Sequence, residues 1–260
     1  MLEYQPLDSL PIFGVFILTI ILLVIAIEAG FRLGKQVQKR WPDHSAEGVG
    51  VMVGASLALL GFFLAFITGI AVNIFNQRIQ LVISEANAIG TTYLRAGYLD
   101  EPYSSESRQL LREYVDVRLS VLEQLELAAA IARSEEIHNE LWSRAEKLAK
   151  AYPTPTIALY ISSLNEVIDL HTERLNMELK IRVPPTIVAG LYLVSVFTMV
   201  LIGIQSCYSD KRNYLALIVL IIILSLVFVL IVDLDRSQQG MLTIPHKALI
   251  DLQRQIRAAP

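Results

Sequence analysis

The residues of this chain that could do chemistry are few and scattered. Glu135 and His138 stand at the spacing of one half of a di-iron carboxylate site. Such a site needs a second Glu-x-x-His pair and further glutamates, and Asp169 with His171 does not supply them. Cys207, the single cysteine, can make no intrachain disulfide, and no histidine–cysteine cluster offers a zinc site. Gly48-Val-Gly-Val-Met-Val-Gly looks like a nucleotide loop only in outline, because no strand precedes it and it opens a long apolar run. Nucleophile elbow, Walker loop and kinase signatures are all missing. An enzyme is therefore not expected, nor a cofactor or metal. The net charge of −3 gives no electrostatic case for nucleic acid.

Two carboxylates stand out for their surroundings. Glu28 lies inside an apolar run, where a charge is expensive, but Arg32 follows four residues later in the favourable order for an ion pair. Glu85 lies one position off the apolar row Ile79, Val82, Ala86, Ile89 and Tyr93, at the expected edge of a packed face. A partly desolvated carboxylate there needs a cation. Arg112 and Arg118 of the following helix are the expected partners, and Arg95 would serve only if another helix folded back. Glu85, Asn87, Arg95, Arg112 and Arg118 form a candidate clasp. It either holds two helices together or sets the angle at which the preceding span leaves the membrane, and so gates.

The elements that position these groups are long helices. Hydrophobic residues make up 54% of the 260 residues, with a mean hydropathy of +0.50, and they fall in blocks. Four blocks can cross a bilayer, about 12–34, 49–75, 186–205 and 214–232. The basic residues follow the first block rather than precede it, so it reads as a retained span and not a signal peptide. The second runs on past Asn76 without a breaker, as one helix leaving the membrane. A third helix carries Leu110, Tyr114, Val117, Val121 and Leu125 on one stripe, after a cap at Ser104 or Ser105, and Arg112 can pair with Asp116 on it. A fourth is expected from a Ser134 cap to Lys150. After Tyr152-Pro-Thr-Pro, a fifth shows Ile157, Ile161, Leu164, Ile168, Leu175 and Leu179. Proline at 184 and 185 suits the first turn of the third span. Asp233 and Asp235 beside Arg236 close the last span and need no special role. A short amphipathic helix, Pro245 to Arg257, carries Leu249, Leu252 and Ile256 on one face.

The expected fold is all-α: a polytopic membrane protein with four transmembrane helices and an extramembrane helical bundle inserted between spans two and three. Its parts are an N-terminal hairpin (1–76), the bundle (77–182), a C-terminal hairpin (183–235) and a tail (236–260). An even span count puts the bundle and both termini on one side. Arg32, Lys35, Lys39 and Arg40 precede the first loop and the N-terminal tail has no Lys or Arg, which favours the bundle and termini outside the cytoplasm.

The second span has two notable faces. Gly50, Gly54, Ala58, Gly61, Ala65 and Gly69 form a stripe of small residues, which packs either against the first span or against another subunit. Beside it, Leu59, Phe62, Phe66, Asn73 and Asn76 would suit an apolar constriction opening to a polar vestibule, or would face lipid and the membrane surface.

The stretches Gly61-Phe-Phe-Leu-Ala-Phe, Phe75-Asn-Gln-Arg-Ile-Gln-Leu-Val and Glu85-Ala-Asn-Ala-Ile-Gly-Thr-Thr-Tyr-Leu-Arg-Ala resemble a bacterial membrane family called bestrophin-like, whose function is largely unassigned. Leu111-Arg-Glu-Tyr-Val-Asp-Val-Arg and Asp233-Leu-Asp-Arg followed by Gly240 are similar to it as well. A more distant resemblance, through the span count and the Phe75-x-x-Arg78 pattern, is to bestrophins themselves. Those are pentameric anion channels whose second helix lines the pore and continues into a cytosolic helical domain. The chain lacks their tryptophan-rich segment and any recognisable acidic calcium clasp. The resemblance implies a homo-oligomer in the cell (inner) membrane, second spans around an axis, small anions as the permeating species, and a bundle in the cytoplasm, against the charge count. The alternative is a non-conducting scaffold or sensor whose bundle binds a partner.

Overall fold

The computed structural model describes residues 8–40, 47–120, 127–208, 212–236 and 240–258. Among them the helices are α1 (Ile12–Arg40), α2 (Glu47–Ala96), α3 (Tyr103–Ser120), α4 (Leu127–Ala151), α5 (Pro155–Leu179), α6 (Pro185–Cys207), α7 (Tyr214–Asp235) and α8 (Lys247–Ala258), and no strand occurs. Helices α1, α2, α6 and α7 are each long and apolar enough to cross a membrane. The chain divides into two compact units, 1–75 with 181–243, and 76–180 with 244–260.

In the first unit α1 packs on α6 and α7. The α1–α6 crossing depends on glycine. A Cβ on Gly30 would stand 2.1 Å from the Val200 carbonyl oxygen, and one on Gly203 would stand 2.2 Å from that of Ile27. Only backbones without side chains can approach so closely. α1 runs on to Arg40, beyond the apolar run ending at Gly34, because arginine, lysine and glutamine are good helix formers and nothing stops the helix. α6 starts with Pro185 in its first turn, and Asn213 caps α7 by accepting from Ala216 N at 3.2 Å.

Asp233 and Asp235 do have structural roles, contrary to the sequence reading. Both are buried at the end of α7. Asp233 accepts from Met241 N and Leu242 N at 2.7 and 2.9 Å, and Asp235 accepts from Val183 N at 2.7 Å and Arg182 Nε at 2.8 Å. A buried carboxylate is stable only with such donors. Gly240 belongs to this knot, since a Cβ there would lie 2.3 Å from Asp233 Oδ1.

In the second unit α3 packs on α4 and α8, and α4 on α5. Thr154 caps α5, accepting from Ile157 N at 3.3 Å, with Pro155 next to it. Two expected caps are corrected. Ser134 lies inside α4, where its hydroxyl donates to Ala130 O at 2.8 Å; α4 starts earlier because Leu127 to Ala130 are themselves strong helix formers. At the start of α3, Glu101 accepts from Ser105 N at 3.3 Å, the role expected of Ser104 or Ser105. Val121 and Leu125 of the α3 stripe lie outside the described residues. Arg112 does not pair with Asp116: it donates to Ile256 O at 3.0 Å and to the Tyr93 hydroxyl, and Asp116 takes Gln253 and Arg257. On α8, Leu249, Leu252 and Ile256 are all buried.

Candidate functional site

The membrane part of α2 is packed along one row only. Val53, Leu60, Leu64, Ile67, Ala71 and Ile74 are buried in their unit. Leu59, Phe62 and Phe66 are 49%, 65% and 59% exposed, and Asn73 and Asn76 are exposed too. The Phe62 and Phe66 rings stack with centroids 6.4 Å apart, as two side chains one turn apart on a free face do. The small-residue stripe shares this exposure. A Cβ on Gly54, Gly61 or Gly69 would meet no described atom within 4 Å, Gly50 would touch only Gln205 Nε2 at 3.4 Å, and Ala58 and Ala65 are exposed. Among the described residues, most of the stripe thus packs on nothing within the chain, and the glycine-dependent crossing belongs to α1 and α6.

A second site is a charge network buried inside the helical unit. Glu85 is 0% exposed, not at a partly solvated edge, because α3 and α5 both supply groups that meet it. Tyr114 on α3 donates to Glu85 Oε1 at 2.6 Å, and Arg174 on α5 donates to Oε2. Arg118 Nε stands 3.1 Å from Oε1 without hydrogen-bond alignment, so it acts mainly through charge. Arg174 also donates to Glu178 at 2.7 Å and to His246 Nε2 at 2.9 Å. His171 Nδ1 lies 3.0 Å from the Tyr114 hydroxyl. The tyrosine's single proton goes to Glu85, so His171 donates through Nδ1 to the hydroxyl oxygen. His138 completes the cluster, its ring 4.8 Å from Tyr114 and 4.9 Å from His171.

The electrostatics follow from this geometry. Burial pushes the Glu85 carboxyl up, but Arg118, Arg174 and the hydrogen bonds from Tyr114 and Arg174 outweigh it and hold the group at about 2. Burial lowers His138 to about 4. Burial and then the Arg118 charge lower His171 to about 3. Burial, followed by Arg174, also lowers His246. Burial and the Glu85 charge raise the Tyr114 phenol. At neutral pH the Glu85 carboxylate is therefore held ionised between Arg118 and Arg174, and the imidazoles of His138, His171 and His246 are neutral.

Of the proposed clasp, the structure joins Glu85 to Arg118 and to no other expected partner. Arg112 binds the end of α8, Arg95 donates to Leu159 O at 2.8 Å, and Asn87 is exposed. Position on the helix explains this: at three or four residues per turn, Arg112 and Arg118 lie on different sides of α3. Arg174, Tyr114, His171, Glu178 and His246 were missed. The available signal was a polar row on α5, His171, Arg174 and Glu178, at spacings of three and four.

Four apolar spans joined to a helical unit define a multi-pass, all-helical membrane protein. The chain belongs to the bestrophin-like family, since the sequence model of the Bestrophin-like domain matches residues 13–249. Its fold is similar to that of a bacterial bestrophin homologue from Klebsiella pneumoniae solved by zinc phasing, with a TM-score of 0.64 and 14% identity, covering 94% of this chain and 97% of that one. A point variant of that homologue gives 0.65 and 15%, with coverage of 94% and 97%. Another gives 0.62 and 14%, with 95% and 99%. Identity at this level speaks for the fold. No curated protein matches the chain.

Proposed function

We propose that this protein is an oligomeric, channel-like assembly in the inner membrane, with α2 of each subunit near the axis and small anions as the permeating species. The observation that carries the reading is the unpacked face of α2. A row of Leu59, Phe62 and Phe66 leading to Asn73 and Asn76 suits an apolar constriction followed by amide donors, with no carboxylate to repel an anion. The small-residue stripe beside it is free to meet a neighbouring α2. Membership of the bestrophin-like family and the fold of the Klebsiella homologue support the same reading.

The test is a sizing measurement together with currents in planar bilayers. The assembly is expected to be larger than one subunit, and Phe62→Ala with Phe66→Ala to raise anion conductance. A monomer, or currents unchanged by both substitutions, would remove α2 from the axis. A stable oligomer that carries no current would favour a scaffold. For orientation, the basic end of α1 favours the bundle and termini outside the cytoplasm. In a Cys207→Ser background, a cysteine at exposed Ser143 should react with an impermeant thiol reagent in intact cells, and one at exposed Gln36 should not. The opposite labelling pattern reverses the orientation.

A further inference from the structure

We propose that the end of the α1–α7 pair around Arg212 binds the phosphodiester headgroup of an acidic membrane phospholipid. Arg212 sits over Phe31, its Cζ 3.2 Å from the ring centroid. One nitrogen, Nη1, is 3.2 Å from Glu28 Oε2. Its Nε and Nη2 are buried, and no hydrogen-bond partner meets them among the described residues. A guanidinium is a rigid fork of donors, so the contacts with the ring and Glu28 hold the unmet donors in place. Such donors are costly to leave unpaired beside apolar surroundings.

The local charge balance favours an anion. Arg32 Nε shares the same carboxylate at 3.1 Å, and Lys35 Nζ sits 4.6 Å from the Phe31 ring that Arg212 covers. Arg32 and Arg212 both pair with Glu28, and Lys35 stands over the same ring as Arg212, so among the described residues these contacts bring three cations to one carboxylate. A phosphodiester carries one negative charge and two free oxygens, enough to take the Arg212 fork and one flanking cation. The surroundings select a lipid as the source of the phosphate. Leu33 of α1, Tyr214 and Leu215 of α7 are 48%, 62% and 74% exposed, and they adjoin the cations in sequence. An exposed tyrosine and leucines beside basic groups at a span's end suit the boundary between headgroup and acyl chain. The charged edge is open to that boundary, since the Arg32 side chain is 75% exposed.

Native mass spectrometry of the full chain released from nanodiscs tests this, with phosphatidylcholine alone or mixed with phosphatidylglycerol. The wild type should retain phosphatidylglycerol over phosphatidylcholine, by about fivefold for each basic contact. Arg212→Gln should lose that preference while melting normally in phosphatidylcholine. Should Arg212→Gln not fold, Arg32→Gln with Lys35→Gln is the second variant, and its preference should drop by at least the same factor. Lys150→Gln, on α4, is the control and should change nothing. Equal retention of both lipids by the wild type, or undiminished preference in the variants, would overturn the proposal. Stabilisation by inorganic phosphate in phosphatidylcholine discs equal to that by phosphatidylglycerol would overturn the choice of a lipid.

Discussion

Replacing Glu85 by glutamine keeps the side chain's shape and removes its charge. Arg118 and Arg174 then remain, each with its side chain 3% exposed. Arg174 keeps Glu178 at 2.7 Å, whereas Arg118 loses the one carboxylate placed next to it among the described residues. Breaking a buried pair in this way costs about 3–5 kcal/mol, most of it the cost of an uncompensated buried charge. That compares with a total of about 5–15 kcal/mol for a typical domain. Urea unfolding followed by Trp142 fluorescence on α4 would report it. Adding Arg118→Met to Glu85→Gln removes the orphaned charge, so the double variant should recover at least about 2 kcal/mol of the loss, a coupling that independent sites would not show. A Glu85→Gln protein within about 1 kcal/mol of wild type, or no recovery from Arg118→Met, would refute the account. The same variant separates clasp from gate. If Glu85 sets the angle of α2, open probability in planar bilayers changes while the oligomer stays intact. If it is only a clasp, melting falls and currents do not change.

Acid should destabilise the helical unit early. His138 and His171 are held at about 4 and about 3 in the folded protein. The unfolded chain binds more protons between those values and the ordinary imidazole value of 6.5, so stability falls as pH drops below 6.5, by up to about 1.4 kcal/mol per pH unit for each imidazole. Glu85, held at about 2 against an ordinary carboxyl value of 4.5, stabilises above 4.5 and adds a further loss below it. A urea midpoint constant between pH 7 and pH 5 would contradict this. Gly30→Ala should disrupt the α1–α6 crossing, because its Cβ would lie 2.1 Å from a backbone oxygen; Gly61→Ala should leave subunit folding intact, as circular dichroism melts would show. Gly240→Ala should lower the melting temperature by displacing the Asp233 carboxylate 2.3 Å away, and normal melting would remove that contact from the argument. Truncation after Thr243 removes buried Leu249, Leu252 and Ile256, each worth about 1.5–3 kcal/mol when buried, so the melting temperature should fall; an unchanged melt would favour a membrane-surface role for α8.

The spans were legible because crossing a bilayer requires an uninterrupted apolar run, and each run appears in the sequence as one block. The continuity of α2 was legible for a related reason, since no proline or turn cluster follows Asn76. The buried face of α5 was not. Apolar residues alone mark Ile157, Ile161, Leu164, Ile168, Leu175 and Leu179 as its inner row; Ile157 and Leu164 are buried, but the other four are only partly so. The row that packs is Tyr160, Leu164, Val167, His171, Arg174 and Glu178. Charged side chains can replace apolar ones on an inner face only when their partners arrive from other helices. Here the partners are Glu85 on α2, Tyr114 on α3 and His246 ahead of α8, 89, 57 and 72 residues from the groups on α5 that they meet. Periodicity within one helix holds no information about contacts at that separation. The same limit put Glu85 at the edge of its face. Its own helix shows a carboxylate beside an apolar row, and only two further helices, each bringing an arginine, turn that edge into an interior.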